Sequence, residues 1–318
     1  MGEPGVPPRR MNWSLFFDLT VSGLTLGSLY ALIALGYSMV YGILKLLNFA
    51  HGDVYMIGAF VGWFALHGLG GPIAPDLGAW IVVALMFLAA MAGCGVLGVV
   101  IERFAYRPLR DAPRIAPLIS ALGVSFFLQN SALLLFGAAF RDYDSFDLIG
   151  ARTRHVGNAY FATPQILTVS GAIVLMIALT LVVARTTVGK AMRATSFDRE
   201  AAAMMGIDVD RVIAVTFFLG SALAGAAGVM FGLVFGQIYH YMGFLAGLKG
   251  FTAAVIGGIG SIPGAMLGGL AVGLLEAYAT GYLPQGSTFQ NLYVFAVLIT
   301  VILVRPSGLL GRAAIQKV

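Results

Sequence analysis

Charged side chains are scarce in this chain. Asp, Glu, Lys and Arg make up 10% of its 318 residues, against roughly 25% in a water-soluble domain. Mean hydropathy is +0.91, so the scarcity excludes a water-facing globular surface and implies a bilayer. Cysteine is scarcer still: Cys94 stands alone, which rules out an intrachain disulfide and leaves the redox compartment open. The motifs of chemistry are missing as well. There is no GxxxxGK[ST] phosphate loop, no HExxH, no GxSxG turn and no paired-cysteine metal site. The chain therefore carries no recognisable nucleotide site, no catalytic residue and no metal site.

Apolar runs and glycine are abundant. Several stretches exceed the roughly 18 to 20 apolar residues needed to cross a hydrocarbon core. The 42 glycines suit membrane helices whose backbones approach closely through small residues. The expected fold is an all-α polytopic membrane protein, with a single domain over 14–304. Apolar length places spans near 14–43, 53–68, 78–101, 116–137, 165–184, 212–236, 264–282 and 290–304. A ninth stretch, 244–261, is apolar but holds Lys249 and many glycines, so eight or nine helices are expected. Residues 1–13, with Pro4, Pro7, Pro8, Arg9 and Arg10, read as a flexible tail. The apolar run behind them is longer than the roughly 7–15 residues of a cleavable signal core.

The net charge of +5 is a matter of sidedness rather than of nucleic-acid binding. Segments 102–115, 185–211 and 305–318 hold 12 of the 19 Lys and Arg residues. Basic residues accumulate in cytoplasmic loops, which puts all three there and makes 305–318 a cytoplasmic tail. Residues 138–164, with three Arg against three Asp, suit the outer side. Counting crossings from these assignments puts the N-terminus outside and requires 244–261 to cross.

Four constellations stand out. In the polar loop 185–211, Asp198 is a good N-cap, Arg199 to Met205 are mostly helix formers, and Gly206 is a natural stop. A capped helix of about two turns is expected, exposing Ala and Met. Its plain alternative is an ordinary surface helix. The second is Lys45-Leu-Leu-Asn48-Phe49-Ala50-His51-Gly52-Asp53. Asn48, His51 and Asp53 at the membrane border are costly unless satisfied, and Gly52 favours a helix break of the kind that lines substrate paths. One His and one Asp are too few for a metal; the alternative is an interfacial hairpin that meets water. The third, Gly257-Gly258-Ile259-Gly260-Ser261-Ile262-Pro263-Gly264, cannot hold a straight helix and reads as a turn or hinge. The fourth is Glu276, a carboxylate within a span, which faces the bundle interior by default, either for proton or substrate contact or for a structural bond. Gln129 and Asn130 read as interhelical hydrogen-bonding residues.

Residues 23–60, GLTLGSLYALIALGYSMVYGILKLLNFAHGDVYMIGAF, closely resemble the opening of branched-chain amino-acid ABC transporter permeases of the LivH type. Segments 189–212, 257–269 (GGIGSIPGAMLGG) and 305–311 (RPSGLLG) resemble later signatures of that family, in the same order. Glu200, Ala201, Ala202 and Gly206 also fit the importer EAA motif, while its usual Ile-x-Leu-Pro continuation is replaced by Thr216-Phe217-Phe218-Leu219. The resemblance implies a type II-like importer permease of the bacterial inner membrane. It would pair with a homologous LivM-type permease, dock two ATPases that bind ATP and Mg, and receive substrate from an external binding protein. No cofactor falls to this chain. Glu200, Ala201, Ala202 and Gly206 would form the coupling helix. Asn48, His51, Asp53, Gly257, Gly258, Gly260, Pro263 and Glu276 are the candidate pathway and gate. Permeases for urea and short amides are similar to the same family, so the substrate stays open. A self-sufficient secondary transporter using Glu276 and an intramembrane enzyme built on His51, Asp53 and Glu276 are the readings from other classes.

Overall fold

The first helix, α1 (Trp13–Leu44), is buried on every side over its second half. Among the described residues it packs against six other helices, most closely against α10 (Ile262–Tyr282). The small-residue pattern explains this closeness. A Cβ on Gly27 would lie 2.8 Å from Leu270 Cα, and one on Gly273 would lie 2.1 Å from the Gly27 nitrogen. Backbones in contact gain dispersion and lose little side-chain entropy, which drives helix association where lipid removes the hydrophobic effect.

The structure is a computed structural model that describes residues 13–69, 78–110, 112–113, 115–143, 153–156 and 159–311. Residues 1–12 of the N-terminal tail and 312–318 of the C-terminal tail lie outside them. Among the described residues the remaining helices are α2 (His51–Leu69), α3 (Ala79–Ile101), α4 (Ile115–Phe136), α5 (Thr163–Arg185), α6 (Thr187–Phe197), α7 (Arg199–Met204), α8 (Val209–Phe235), α9 (Met242–Gly257) and α11 (Gly286–Val304). Helix α3 continues as a π turn over Glu102–Tyr106 and a 3-10 turn over Arg107–Leu109, so the polar residues after the span stay helical. Helices α1 and α8 form the centre, α2 packs on both, α9 packs on α1, α2 and α10, and α3 covers α8. Helix α11 buries only Gly286 and Val294 and presents Leu292, Ile299 and Leu303 outward.

Among the described residues seven helices are long and apolar enough to cross a bilayer: α1, α3 with its extension, α4, α5, α8, α10 and α11. This differs from the eight or nine expected, and the difference lies in α2 and α9. Helix α2 carries His51, Asp53 and His67. Helix α9, at 16 residues, is about 24 Å long at 1.5 Å per residue. Both are inner helices packed on protein, where polar content and short length are tolerated because lipid does not reach the backbone.

Contacts at the two ends of the bundle sort the loops. One end gathers the α1–α2 linker, the α3 extension, α6, α7, the turn after α9 and residues 305–311. The opposite end gathers the first turns of α1 and two small strand pairs. Strand β1 (Arg141–Asp142) pairs antiparallel with β4 (Gln237–Ile238), and β2 (Thr153–Val156) with β3 (Ala159–Ala162). Trp63 Nε1 donates to the Asp142 carbonyl at 2.9 Å and the Tyr160 N–H to Asp18 Oδ1 at 3.3 Å. The described parts of the three basic segments thus share one end, and the described parts of the charge-balanced loop lie at the other.

Candidate functional site

At the basic end the chain folds into an elbow of two helices. Thr186 caps α6 by accepting from the Gly189 N–H at 3.0 Å. The helix turns Met192 and Thr195 inward and leaves Lys190 and Arg193 exposed. Asp198 alone separates α6 from α7, and its Oδ1 accepts from the Glu200 and Ala201 N–H groups at 3.0 and 3.1 Å. Helix α7 closes with a Schellman motif: Gly206 N–H bonds Ala203 O at 3.0 Å and Ile207 N–H bonds Ala202 O at 3.1 Å. Gly206 stands at φ +83°, a conformation natural to glycine. The helix is one residue shorter than Arg199–Met205, because Met205 takes the cap position. Ala202 faces the protein while Glu200, Ala201 and Gly206 face outward. Phe197, Met204 and Met205 are 92%, 81% and 82% exposed, an apolar cluster on a charged surface. Methionine-rich clusters of this sort adapt to partner surfaces.

The base of the elbow is held by charge. Asp210, in the first turn of α8, binds Arg107 and Arg110 from the α3 extension, and Arg110 also binds the buried Glu102. Arg199 donates from Nε and Nη2 to the Ile43 carbonyl at 3.0 and 2.5 Å, which ties α7 to the last turn of α1. None of these partnerships was legible beforehand, since each joins residues about 100 or more positions apart or across helical turns. Amphipathic α6 escaped too, although its inward Met192 and Thr195 at i, i+3 are a helical signal.

From Ile43 the chain enters the polar break. Residues 45–48 are non-helical, with Lys45 at φ +56°. Asn48, His51 and Asp53 are all buried, not wetted at an interface. Tyr106 donates to Asn48 Oδ1 at 3.1 Å and to the Leu47 carbonyl at 3.3 Å. Asp53 accepts from Ser125 Oγ at 2.5 Å and Gln129 Nε2 at 3.1 Å, both on α4. Gln129 is therefore interhelical as expected, whereas Asn130 is exposed and donates to Phe126 O in its own helix at 2.8 Å. The His51 ring lies edge-on to Tyr37 at 5.0 Å, with Nε2 buried against Gly36.

Glu276 is half of an ion pair. Lys249 Nζ on α9 meets Oε1 at 2.6 Å, and Tyr30 Oη on α1 donates to Oε2 at 2.9 Å. His51 faces α1, Asp53 faces α4, and Glu276 faces α9 and α1, so the three do not meet at one reacting point. The Gly257–Pro263 segment is the turn between α9 and α10: Gly258 and Gly260 stand at φ +105° and +89°, Ser261 Oγ accepts from the Gly264 N–H at 3.2 Å, and Pro263 lies in the first turn of α10. Residues 305–311 fold onto it. Leu309 and Leu310 donate their N–H groups to Ile256 O and Gly257 O at 2.8 and 2.9 Å, supplying donors to carbonyls left open at the end of α9. Between this turn, α1, α6 and α8 lies a cleft of about 100 Å³, lined by Ser38, Gly42, Met192, Arg193, Thr216 and Gly260 among others.

A family model described as the permease component of branched-chain amino acid transport systems matches residues 19–304. The chain is 45% identical over 308 residues to the high-affinity branched-chain amino acid transport system permease protein LivH of Escherichia coli K12, covering 95% of this chain and 98% of that protein. It is 44% identical to the corresponding permease protein BraD of Pseudomonas aeruginosa, with the same coverage. A probable LivH permease protein of the archaeon Methanocaldococcus jannaschii is 28% identical over 89% of both chains.

Proposed function

Since the chain belongs to the family of permease components of branched-chain amino acid transport systems, we propose that it is the membrane-spanning subunit of an ATP-driven importer for leucine, isoleucine, valine or related amino acids. In this reading the subunit sits in the bacterial inner membrane, with loop 185–211 and the C-terminal tail in the cytoplasm. It pairs with a homologous permease and receives substrate from an external binding protein. Two ATPases, which hold the ATP and Mg, dock on its basic end. The observation that carries the reading is α7. A helix fixed by caps at both ends, bearing Phe197, Met204 and Met205 in the open at the basic end, is a rigid lever looking for a groove. Apolar contact there transmits force only if the helix does not fray, and both caps prevent fraying.

The buried polar residues supply the moving part. Asn48, His51 and Asp53 surround a break between α1 and α2, and Gly258 and Gly260 form the neighbouring turn. Both can change backbone angles without breaking a long helix. ATP-driven displacement of α7 is then converted into alternate opening of the permease pair.

The test is copurification with the ATPases encoded beside this chain. Wild type is expected to retain them, and Glu200→Arg or Met204→Asp to lose them, with the permease still folded. Retention of the ATPases by both variants would sink the docking claim. Substrate is tested separately, by titrating the accompanying binding protein with leucine, other amino acids and urea. Tightest binding is expected for a branched-chain amino acid.

A further inference from the structure

The end of α1 is held from outside in a way that links two parts of the molecule. An α-helix leaves its last four carbonyls without intrahelical donors. At α1, Tyr41 O is taken by the Lys45 N–H at 2.9 Å. The Ile43 carbonyl is taken by Arg199, through Nε at 3.0 Å and Nη2 at 2.5 Å. Arg199 is the first residue of α7 and directly follows its N-cap Asp198, so its backbone travels with that helix. A guanidinium is a planar fork, and two of its N–H groups on one oxygen fix direction as well as distance. A cation at a helix C-terminus is also favoured by the helix dipole.

Arg199 has no obvious electrostatic reason to be there other than this carbonyl. Among the described residues its hydrogen bonds go to Ile43 O. Its surroundings are cationic: burial, then the nearby Arg110, lowers its pKa from the ordinary value. Burial, then Arg199 itself, does the same to Lys45. On the far side of Ile43 the chain runs directly into the break, where Tyr106 grips Leu47 O and Asn48 Oδ1 and the His51 N–H bonds Asn48 O at 3.1 Å. Other anchors of the polar loop serve different parts. Asp210 fixes α8 to the α3 extension through Arg107 and Arg110. Helix α6 touches α1 through side-chain packing, which can slide, whereas the fork cannot slide without losing both bonds.

We propose that Arg199 is the positioning residue that passes displacement of α7 to the α1–α2 break, so that movement of the docking helix moves the Asn48–Asp53 segment. This rests on the reading of α7 as the docking helix.

The experiment uses the full complex of this chain with its second permease, ATPases and binding protein, reconstituted in proteoliposomes. Wild type, Arg199→Gln, Arg199→Lys and Arg103→Gln are compared for ATPase association, uptake per ATP hydrolysed, and ATP-dependent hydrogen exchange over residues 44–52. Arg103 is the control, because it is an exposed cation on the α3 extension, outside the elbow and the cleft. Arg199→Gln is expected to keep the ATPases but lose about tenfold in uptake per ATP, a size typical of a coupling term. Its ATP-dependent change in exchange at 44–52 disappears, Arg199→Lys regains part of both, and Arg103→Gln behaves as wild type. Uptake per ATP in Arg199→Gln within about twofold of wild type, a coupling change below the typical range, overturns the proposal. If the Gln variant fails to fold, the Lys variant decides on the same ratio. Absence of ATPases from the wild-type complex would instead remove the docking reading, and this inference with it.

Discussion

Lys249 and Glu276 place opposite charges on neighbouring helices inside a membrane bundle, both buried and 2.6 Å apart. Such a pair contributes modest net stability, because desolvation of the two ions offsets much of their attraction. Breaking it is another matter, since the remaining charge is left buried without a partner. Lys249→Met is therefore expected to cost about 3–5 kcal/mol and to lower the yield of folded protein sharply. The double variant Lys249→Met/Glu276→Gln should recover most of that yield; thermal unfolding in detergent of both variants checks the order. A single variant as stable as wild type would show that the pair is not formed. From the sequence Glu276 read as a lone intramembrane carboxylate. Its partner was invisible because 27 positions separate them, a spacing that no helical periodicity connects. Arg199 shows the same limit: its residue type favours capping of any carbonyl, but which carbonyl depends on where α1 ends in space.

Helix α7 was legible almost to the residue, because its signals are local. Asp198 caps it and Gly206 ends it through bonds between residues a few positions apart. Those caps carry an expectation. Asp198→Ala should cost the helix about 1 kcal/mol, and Gly206→Val should strain the left-handed stop. Hydrogen exchange over 199–205 should quicken in both while the transmembrane helices stay protected; unchanged exchange in both variants would mean that packing on α6 and α8, not capping, holds the helix. The α1–α10 crossing belongs to the same scale. Gly27 touches Leu270 Cα and Gly269 O through the space a side chain would occupy. Gly27→Leu is expected to destabilise the bundle by about 3 kcal/mol or more through overpacking, measurable as a lower unfolding temperature in detergent. Gly78, which has open space around it, is the matching control as Gly78→Ala.

The bundle as a whole separates its loops into two ends, and that separation can be tested in intact membranes. Cys94 is fully buried, so introduced cysteines can be read against a silent background. Met204→Cys is expected to react with a membrane-impermeant maleimide only from the cytoplasmic side, and Gln237→Cys only from the outer side. Labelling of both from one side would contradict the two-ended arrangement. The outward apolar faces of α4 and α11, with Phe126, Phe127, Leu134, Leu292 and Leu303 exposed, are consistent with lipid or a second subunit around the rim. Helices α1 and α8 are shielded at the centre. Crossing number was less legible than the grouping of the basic loops at one end. Hydropathy weighs residues without knowing whether lipid or protein surrounds them. Polar α2 and short α9 were thus ambiguous until their positions inside the bundle were known.

Sequence alone determined the class, the grouping of the basic loops and the capped helix. Those properties follow from composition, from the clustering of Lys and Arg, and from hydrogen bonds spanning at most a few residues. Tertiary structure decided the rest: that Asn48, His51 and Asp53 are buried and face different helices, that Glu276 is paired with Lys249 and Tyr30, and that Arg199 reaches the end of α1. Each of these is a contact between distant segments, and its geometry is set by how closely small residues let the helices approach. A list of residue types carries no record of that distance.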